Sequence, residues 1–294
     1  MAALIEKARA KVNLTLRVLG RRTDGYHDLE SLVAFADCAD ILSLTPGPEL
    51  ALSVTGPRAG ECGDVSDNLV MRVSRALAER VEGLQTGRFT LDKYLPVAAG
   101  IGGGSADAAA ALRLLARANN LDLNDERIAE VARETGADIP VCVASAACLM
   151  AGVGEELTPL PLPAMHAVMV NPRVAVATRD VFSALGLSNG ELLVGATDVI
   201  QALQWPEDGA GPGEWIEVVG SGINDLEKPA LEVQPLIGDV LEALRAAEGA
   251  QFSRMSGSGA TCFAIFETAA AAQKAAAVIQ LQHPGWWVHA GVLS

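Results

Sequence analysis

The chain lacks the features that would place it in a membrane, outside the cell or on nucleic acid. None of its apolar runs is long enough to span a bilayer, and its N-terminus lacks the hydrophobic segment of a signal peptide. Lys and Arg number 22 against 36 Asp and Glu, and the resulting formal charge of −14 disfavours nucleic acid and anionic membranes as partners. These absences predict a soluble, cytoplasmic protein.

Cysteines and aromatic residues are also scarce. The five cysteines are an odd number without metal-ligand spacing, so we expect reduced side chains rather than a disulfide framework or a metal centre. Aromatic residues make up only 4% of the chain, so any binding site that stacks a base must use a few specific side chains. In contrast, 50% of the 294 residues are hydrophobic, enough for a large core in one large or two modest domains.

The most informative segment is a glycine-rich run that leads directly into an alanine-rich helical pattern. Residues 96–107 read PVAAGIGGGSAD, and the helical pattern continues to about residue 118. Glycines let the backbone approach an anion closely, and the helix start offers unpaired amides and the positive end of its dipole. Glycine clusters also close ordinary loops. Four glycines beside a good helix nevertheless favour a site for nucleotide phosphate.

Two common nucleotide-binding motifs are absent from the sequence. A dinucleotide fingerprint needs a third glycine three residues after the second, and Ser105 stands there. The run from Gly20 to Gly25 has the glycine spacing of a P-loop, but Tyr26 replaces the lysine. Asp122 has the spacing of a ribose-binding acid, yet it lies in a loop that is predicted to cap the next helix. A less common phosphate loop remains.

Three further segments carry candidate polar residues. Alternating apolar residues predict a half-buried strand over 10–19, with Lys11 and Asn13 together on its other face. Asp138 lies in GADIPVCV between a predicted helix and a predicted strand, where a turn or cap role is the default. The run 254–266, RMSGSGATCFAIF, predicts a Gly/Ser turn before a buried strand. Each of these segments alone is a moderate or weak signal.

The hydrophobic pattern predicts strands and helices that alternate along the chain. The predicted strands are 10–19, 30–44, 50–55, 88–93 and 260–266, and the predicted helices are 67–82, 105–119, 125–135, 231–247 and 268–281. Residues 205–222 are rich in Gly and Pro, and we expect a loop or a partly disordered insertion there.

Together and in this order, the segments resemble the small-molecule kinase superfamily that includes galactokinase, homoserine kinase and mevalonate kinase. Within it, the run 11–27 is similar to the kinases of 4-diphosphocytidyl-2-C-methyl-D-erythritol, in the non-mevalonate isoprenoid pathway. The segments that carry the resemblance are AKVNLTLRVLGRRTDGYHDL, DNLV, PVAAGIGGGSADAAAAL, GADIPVCV, NDLE and MSGSGATCFAIF, from residue 10 to residue 266.

The resemblance implies an α+β fold of two domains, 1–155 and 156–294, with the active site in the cleft between them. It also implies ATP-dependent phosphorylation of the substrate's 2-hydroxyl, giving the 2-phosphate and ADP. Asp138 would accept the alcohol proton, and Lys11 would keep Asp138 ionised and offset charge on the phosphoryl oxygens. A structural salt bridge is the alternative for this pair.

For the nucleotide, the resemblance implies a triphosphate site with Mg²⁺ bridging the phosphate oxygens. Much of the superfamily has paired serines in the glycine loop, whereas Ala106 follows Ser105 here, which leaves Ser105 as the possible protein ligand of the metal. Asn68 matches a contact on the adenine side, although Asp67 could simply cap the helix that follows. The implied ATP-binding residues are Asn68, Pro96, Gly100, Gly102, Gly103, Gly104, Ser105 and Ala106.

For the acceptor, Tyr26 and His27 match family positions at the cytosine, and Phe182 resembles the opposing stacked aromatic. Core packing is an equal alternative for Phe182. The implied substrate-binding residues are Asn13, Tyr26, His27, Phe182, Ser256, Gly257, Ser258 and Gly259, the last four also explicable as a tight turn. Two other functions stay open, namely another acceptor within the superfamily (homoserine, mevalonate or a sugar) or a ligand sensor without catalysis.

Overall fold

The computed structural model describes residues 3–193, 205–207 and 209–294, and it divides into two compact units. The first unit comprises the N-terminal residues through Lys11 together with Cys38–Val97 and Gly102–Ser145. The second comprises Val12–Asp37, Ala98–Ile101 and Ala146–Ser294. Each unit therefore takes several separate stretches of the chain, and the predicted division at residue 155 stays a prediction.

The described residues form the following strands and helices, each group given in chain order. The strands are β1 Leu4–Asn13, β2 Arg17–Arg21, β3 His27–Pro46, β4 Ala51–Thr55, β5 Gly87–Asp92, β6 Cys148–Gly152, β7 Glu156–Pro159, β8 Met165–Asn171, β9 Ala250–Met255, β10 Cys262–Phe266 and β11 Trp287–Leu293. The helices are α1 Leu69–Arg80, α2 Gly103–Asn119, α3 Glu126–Thr135, α4 Ile139–Ala144, α5 Thr178–Ala184, α6 Pro212–Ser221, α7 Glu227–Val233, α8 Leu236–Arg245 and α9 Ala269–Gln282.

The first unit packs a group of helices with a small sheet. The end of β3 pairs antiparallel with β5, and β4 pairs parallel with β5. Helix α2 contacts α1 and α4, and α3 contacts the same two helices. The alanines of α2 from Ala108 to Ala111 are fully buried. Their small side chains let the neighbouring helices approach closely.

The second unit is built on an antiparallel sheet whose centre is β8. Strands β10 and β11 pair with β8 on opposite sides, so Val168 faces Ala264 in one register and Ala290 in the other. Strand β9 continues the sheet beyond β10. Helices α8 and α9 contact the strands of this sheet and cover its apolar residues. The beginning of β3 pairs with β2 and β6, the latter pairing also with β7.

Most predicted elements are confirmed, and two predicted elements are each interrupted. The strand predicted over 10–19 ends at Asn13 and resumes at Arg17, because the Leu16 amide donates to the carbonyl of Ile223 instead of to a neighbouring strand of a sheet. The helix predicted over 231–247 is divided into α7 and α8 at Pro235, since proline has no N–H and restricts the residue before it.

Two segments were predicted wrongly. Residues after Asp138 form helix α4 rather than a strand, because Pro140 at the first turn costs no helical hydrogen bond. The segment predicted as a loop over 205–222 contains helix α6, although residue 208 lies outside the described residues. Proline again stands at the helix start, and the Gly211 amide donates to the carboxylate of Glu214 at 3.2 Å. No helix among the described residues has the length and apolar content that crossing a bilayer requires.

Trp215 is one of the two buried residues of helix α6, and it gives a test of how this helix packs. Trp215 is 1% exposed and stacks on Trp205 with 6.2 Å between ring centroids. We expect Trp215→Ala to lower the free energy of unfolding by about 3 to 5 kcal/mol, measured by urea titration. Glu217→Ala on the exposed side of the same helix is the control and should change it by about 0.5 kcal/mol or less. Equal effects of the two changes would mean that α6 does not pack as described.

Candidate active site

The glycine loop ends in a helix start whose amides are unpaired. Gly102 is the residue before α2 and has a left-handed φ of +63°. The first amide of the helix to find a partner is that of Ala106, which donates to the Gly102 carbonyl at 2.8 Å. In the described chain, the amides of Gly103, Gly104 and Ser105 have no acceptor. The predicted phosphate loop therefore presents three consecutive free N–H groups in the first unit.

Lys11 and Asp138, predicted as the catalytic pair, are in direct contact. The Lys11 Nζ donates to Asp138 Oδ1 at 2.8 Å. The side chain of Lys11 is 5% exposed, and that of Asp138 is 39% exposed. Asp138 occupies the capping position of α4, but its carboxylate makes no capping hydrogen bond. The expected cap role of this side chain is thus wrong, and its carboxylate is left to Lys11 and to solvent.

Gly102 brings the phosphate loop next to this ion pair. A Cβ atom at Gly102 would lie 3.3 Å from the Cβ and 3.5 Å from the Cε of Lys11. Any larger residue would also have to adopt a left-handed φ, which L side chains rarely do. Gly102 is therefore required both for the turn into α2 and for the proximity of Lys11.

A buried group of three charges beneath the loop was missed by sequence reasoning. Lys93 lies between two aspartates, with Nζ at 2.6 Å from Asp40 Oδ2 and 2.5 Å from Asp107 Oδ2. Asp40 also accepts the amides of Tyr94 and Leu95. A Cβ at Gly103 would lie 3.5 Å from Lys93 Nζ, so the group directly supports the first residue of α2. The signal in the sequence that could have revealed this group is a charged residue within each of three predicted apolar elements, namely the strands 30–44 and 88–93 and the helix 105–119.

The three charges are unbalanced, and the imbalance shifts the titration of Asp107. Burial raises the pKa of Asp107 to about 7, although Lys93 opposes the shift. Burial would lower the pKa of Lys93, but Asp107 and Asp40 outweigh it and raise that pKa. One ammonium between two carboxylates leaves a net negative charge in a dry environment, which a proton on Asp107 neutralises.

The five cysteines form no disulfide among the described residues. A Cβ at Gly102 would lie 3.8 Å from the Sγ of Cys142, so this thiol borders the phosphate loop. Burial raises the pKa of Cys142 to about 12, with a further contribution from Asp138. The thiol therefore stays protonated at neutral pH and behaves as a small packing group.

In the second unit, the Ser256–Gly259 turn lies against the start of the glycine loop. A Cβ at Gly100, where φ is +74°, would lie 2.5 Å from the Gly259 carbonyl oxygen and 2.7 Å from that of Ser256. The Ser256 hydroxyl donates to the Gly100 carbonyl at 3.1 Å and accepts the amide of Asn13 at the same distance. Only glycine permits this approach of two backbones. The Ser256 hydroxyl thus joins the two segments, and its role in substrate binding stays a prediction.

Asn13 is buried beside this turn and keeps one polar atom unpaired. Its amide group donates to the Ser31 hydroxyl at 2.7 Å, and its Oδ1 has no hydrogen-bond partner among the described residues. A Cβ at Gly257 would lie 3.3 Å from that oxygen. An unpaired buried acceptor costs free energy unless a ligand satisfies it. Asn13 is therefore suited to accept a hydrogen bond from a substrate hydroxyl.

His27 and Phe182, predicted to lie at the cytosine, are brought together as ring neighbours. Their ring centroids are 4.5 Å apart with 31° between the planes. Phe182 is partly buried and packs against the hydrophobic core of the second unit, so the core-packing alternative is also correct in part. Burial, followed by the charge of Arg21, lowers the pKa of His27. His27 Nε2 lacks a partner in the described chain, while Tyr26 is 60% exposed.

Other predicted residues have structural roles as well. The Asn68 side chain caps α1 by accepting the amide of Val70 at 2.9 Å, so Asn68 rather than Asp67 is the cap. Pro96 is buried before the glycine loop, and Ala106 is buried in the first turn of α2. No cluster of three or more His, Cys, Asp or Glu within the described residues could hold a metal ion.

Comparison of the sequence with known proteins finds two domain families. The GHMP kinases N terminal domain matches residues 68–151, and the GHMP kinases C terminal domain matches residues 208–284. A 4-diphosphocytidyl-2-C-methyl-D-erythritol kinase of Rhodopseudomonas palustris (strain BisA53) is 65% identical over 100% of this chain and 99% of its own length. The kinase of the same name from Bradyrhizobium diazoefficiens is 66% identical with the same coverage.

Comparison with solved structures finds the same fold. A crystal structure of 4-(cytidine 5'-diphospho)-2C-methyl-D-erythritol kinase has a TM-score of 0.76 at 31% identity and covers 99% of both chains. Homoserine kinase from Cytophaga hutchinsonii has a TM-score of 0.72 at 18% identity, covering 100% of this chain and 95% of its own. Mevalonate kinase from Methanococcus jannaschii has a TM-score of 0.68 at 9% identity, covering 98% of both chains. The last two similarities establish the fold alone.

The raised pKa of Asp107 predicts a pH dependence of stability. Because the folded-state pKa of about 7 exceeds the unfolded value, the folded protein binds more protons between about pH 4 and about pH 7. This group's contribution to stability is therefore lost as pH rises through that window. Asp107→Asn removes the titration, so urea unfolding should show the variant gaining stability relative to the parent as pH rises.

The exposed Asp122 provides the control, since Asp122→Asn should shift the free energy of unfolding much less over the same window. A difference between Asp107→Asn and the parent that stays constant from about pH 4 to about pH 7 would contradict the assignment.

Proposed function

This chain belongs to the 4-diphosphocytidyl-2-C-methyl-D-erythritol kinases, within the GHMP kinases, and we propose that it phosphorylates the 2-hydroxyl of that substrate with ATP. The products are the 2-phosphate and ADP, in the non-mevalonate route to isoprenoid precursors. The observation that carries the proposal is the Lys11–Asp138 ion pair next to Gly102 and the free amides at the start of α2.

Phosphoryl transfer needs a base for the alcohol and positive charge for the phosphoryl oxygens. The acceptor oxygen bonds to the γ-phosphorus while the bond to the β,γ-bridging oxygen breaks, and the hydroxyl proton passes to the Asp138 carboxylate. Asp138 suits this step because its carboxylate is not used as a helix cap and is 39% exposed. The adjacent Lys11 ammonium, 2.8 Å from that carboxylate, attracts the transferring group.

The nucleotide phosphates are proposed to bind at the glycine loop. The amides of Gly103, Gly104 and Ser105 can donate to phosphate oxygens without breaking any bond of the fold. The other proposed ATP-binding residues are Asn68, Pro96, Gly100, Gly102 and Ala106. Mg²⁺ usually takes most of its ligands from phosphate and water, and the half-buried Ser105 is the proposed ligand from the protein. When bound, the metal neutralises charge on the phosphate oxygens.

The acceptor is proposed to bind in the second unit. His27 and Phe182 already form one aromatic pair, and exposed Tyr26 adjoins it in sequence, as a flat base requires. The unpaired Oδ1 of Asn13 is proposed to accept a hydrogen bond from a hydroxyl of the methylerythritol part. The turn formed by Ser256, Gly257, Ser258 and Gly259 is proposed to contact the phosphoryl groups.

A turnover assay with ATP and Mg²⁺ tests the proposal against its alternatives. The cytidyl substrate is compared with homoserine, mevalonate and a sugar, and ADP release is read together with product mass. The identity of 65% over the whole chain favours the cytidyl substrate. The presence and contact of both Lys11 and Asp138 favour an enzyme over a sensor. Turnover of another acceptor alone, or of none, would overturn the proposal.

The role of Asp138 predicts a loss of turnover without a loss of binding. Asp138→Asn should lower kcat by about 10² to 10⁴, because it removes the proton acceptor. Lys11→Met should act similarly, since it removes the charge and keeps much of the stem. Calorimetry should show that both variants still bind ATP and the cytidyl substrate.

A matched control is Glu134→Gln, which breaks the exposed Arg80–Glu134 ion pair of the same unit. It should leave kcat within about twofold, as expected for a surface pair of small energetic value. If Asp138→Asn likewise kept near-parental turnover, the Lys11–Asp138 contact would be a structural salt bridge.

The stacking pair predicts a selective effect on the acceptor. Phe182→Ala should lower kcat/KM for the cytidyl substrate by about ten- to a hundredfold, since a stacked base contact contributes about 1 to 3 kcal/mol, and His27→Ala should also lower it. The Kd for ATP should hardly change. The control is Trp286→Ala, which removes another His–aromatic pair of the second unit, with centroids 3.7 Å apart. Folded variants with parental kcat/KM would place the cytosine elsewhere.

A further inference from the structure

The Ser256–Gly259 turn exposes two amides that the protein does not use. The Ser256 amide donates to the Thr261 carbonyl at 2.9 Å, and that of Gly259 to the Ser256 carbonyl at 3.0 Å. Those of Gly257 and Ser258, between them, donate to no acceptor in the described chain. Free adjacent amides can bind an anion only if the peptide planes that carry them are held in place.

The NDLE segment, residues 224–227, borders this turn. Asn224, which is 7% exposed, donates both hydrogens of its amide group at 2.8 Å, one to the Met255 carbonyl and one to the Gly257 carbonyl. The Gly257 carbonyl belongs to the same peptide plane as the Ser258 amide. Asn224 therefore fixes the direction of one of the two free N–H groups.

The remaining hydrogen bonds of the segment hold Asn224 itself. Its Oδ1 accepts the amide of Leu226 at 2.9 Å, so every polar atom of the side chain is paired. The Asp225 amide donates to the Leu16 carbonyl at 2.9 Å, and the Asp225 carboxylate accepts the amide of Val18 at 2.8 Å. The Glu227 carboxylate accepts the amide of Met255 at 2.9 Å. The segment thus ties the turn to the interruption between β1 and β2.

A buried arginine, Arg254, also holds the residues between β1 and β2 in place. Arg254 donates to the carbonyls of Leu14 at 2.6 Å and Val219 at 2.9 Å, and also to Gly220 and Gly222. These bonds fix the backbone that precedes Asn224, at the end of α6. Asn224 is therefore the single side chain in this network that contacts the turn at the residues with free amides.

We infer that Asn224 is a positioning residue for phosphoryl transfer, which orients the free amides of Gly257 and Ser258 toward the phosphoryl oxygens by holding the Gly257 carbonyl. This inference rests on the proposed kinase function. Charge on those oxygens changes most in the transition state, so loss of the orientation lowers kcat more than it raises either KM.

Asn224→Asp tests the inference with little change of shape. It keeps the acceptor for Leu226 and places an oxygen opposite the two carbonyls in place of the donors. We expect kcat to fall by about tenfold or more, with KM for ATP and the cytidyl substrate within about threefold. Protonation of the introduced carboxyl restores one donor, so kcat relative to the parent should rise as pH is lowered.

The matched control is Asn119→Asp in the first unit. Asn119 also donates to two carbonyls, those of Gln85 at 2.9 Å and Leu115 at 2.8 Å, and accepts one amide, that of Gln85. Its substitution should leave kcat and its pH profile unchanged. If Asn224→Asp lowered thermal stability but left kcat and its pH profile at parental values, Asn224 would be merely structural and the inference would be overturned.

Two further measurements keep the outcome decisive. If Asn224→Asp folds poorly, Asn224→Ser is used instead, because serine retains one donor. The folded fraction of Asn224→Ser should show a smaller loss of kcat than Asn224→Asp. A parental kcat in folded Asn224→Ser would overturn the inference. Hydrogen exchange of residues 255–261 separates this inference from the proposed function, because it needs no substrate. Exchange should be faster in Asn224→Asp but not in Asn119→Asp, even if the parent phosphorylates a different acceptor.

Discussion

Backbone amides that are to bind phosphate must be left without partners inside the protein, and the construction of both units follows from this constraint. The amides of Gly103, Gly104 and Ser105, and those of Gly257 and Ser258, donate to no acceptor in the described chain. A segment with unused amides cannot be held by a strand or helix ladder of its own. It has to be fixed through its carbonyls, its side chains and close backbone contacts.

Each unit meets the constraint in a different way. In the first, the Lys93 group supports the start of α2 from within, and Gly102 allows the helix to begin beside Lys11. In the second, the Ser256 hydroxyl and the absent side chain of Gly100 join the turn to the glycine loop. Asn224 adds the hydrogen bonds to the turn's carbonyls. Buried polar side chains are costly unless paired, and the pairing here places them where backbone rigidity is needed.

The positive charge available to an anionic substrate is local, because the chain as a whole carries −14. Lys11 is paired with Asp138, and Lys93 with two aspartates, so neither ammonium is an unbalanced charge. Pairing offsets the cost of burying each ammonium. In the proposed site the amides and the helix start therefore carry much of the attraction for phosphate, and Lys11 is placed to respond when charge moves during the reaction.

The sequence alone determined the family, a candidate phosphate loop, most of the elements and the candidate pair Lys11 and Asp138, because local periodicity and ordered motifs are readable along one chain. It failed at α4, where an apolar run predicted a strand, and at α6, where Gly and Pro predicted a loop; a proline stands at the start of each of these helices. It also left Lys93, Asp107 and Asn224 without a role, although the last two lie in segments that carry the family resemblance. Their partners lie 14 to 53 residues away for Lys93 and 31 to 33 residues away for Asn224. Only the tertiary structure decides such contacts, because a buried polar group is specified by whichever distant group satisfies it.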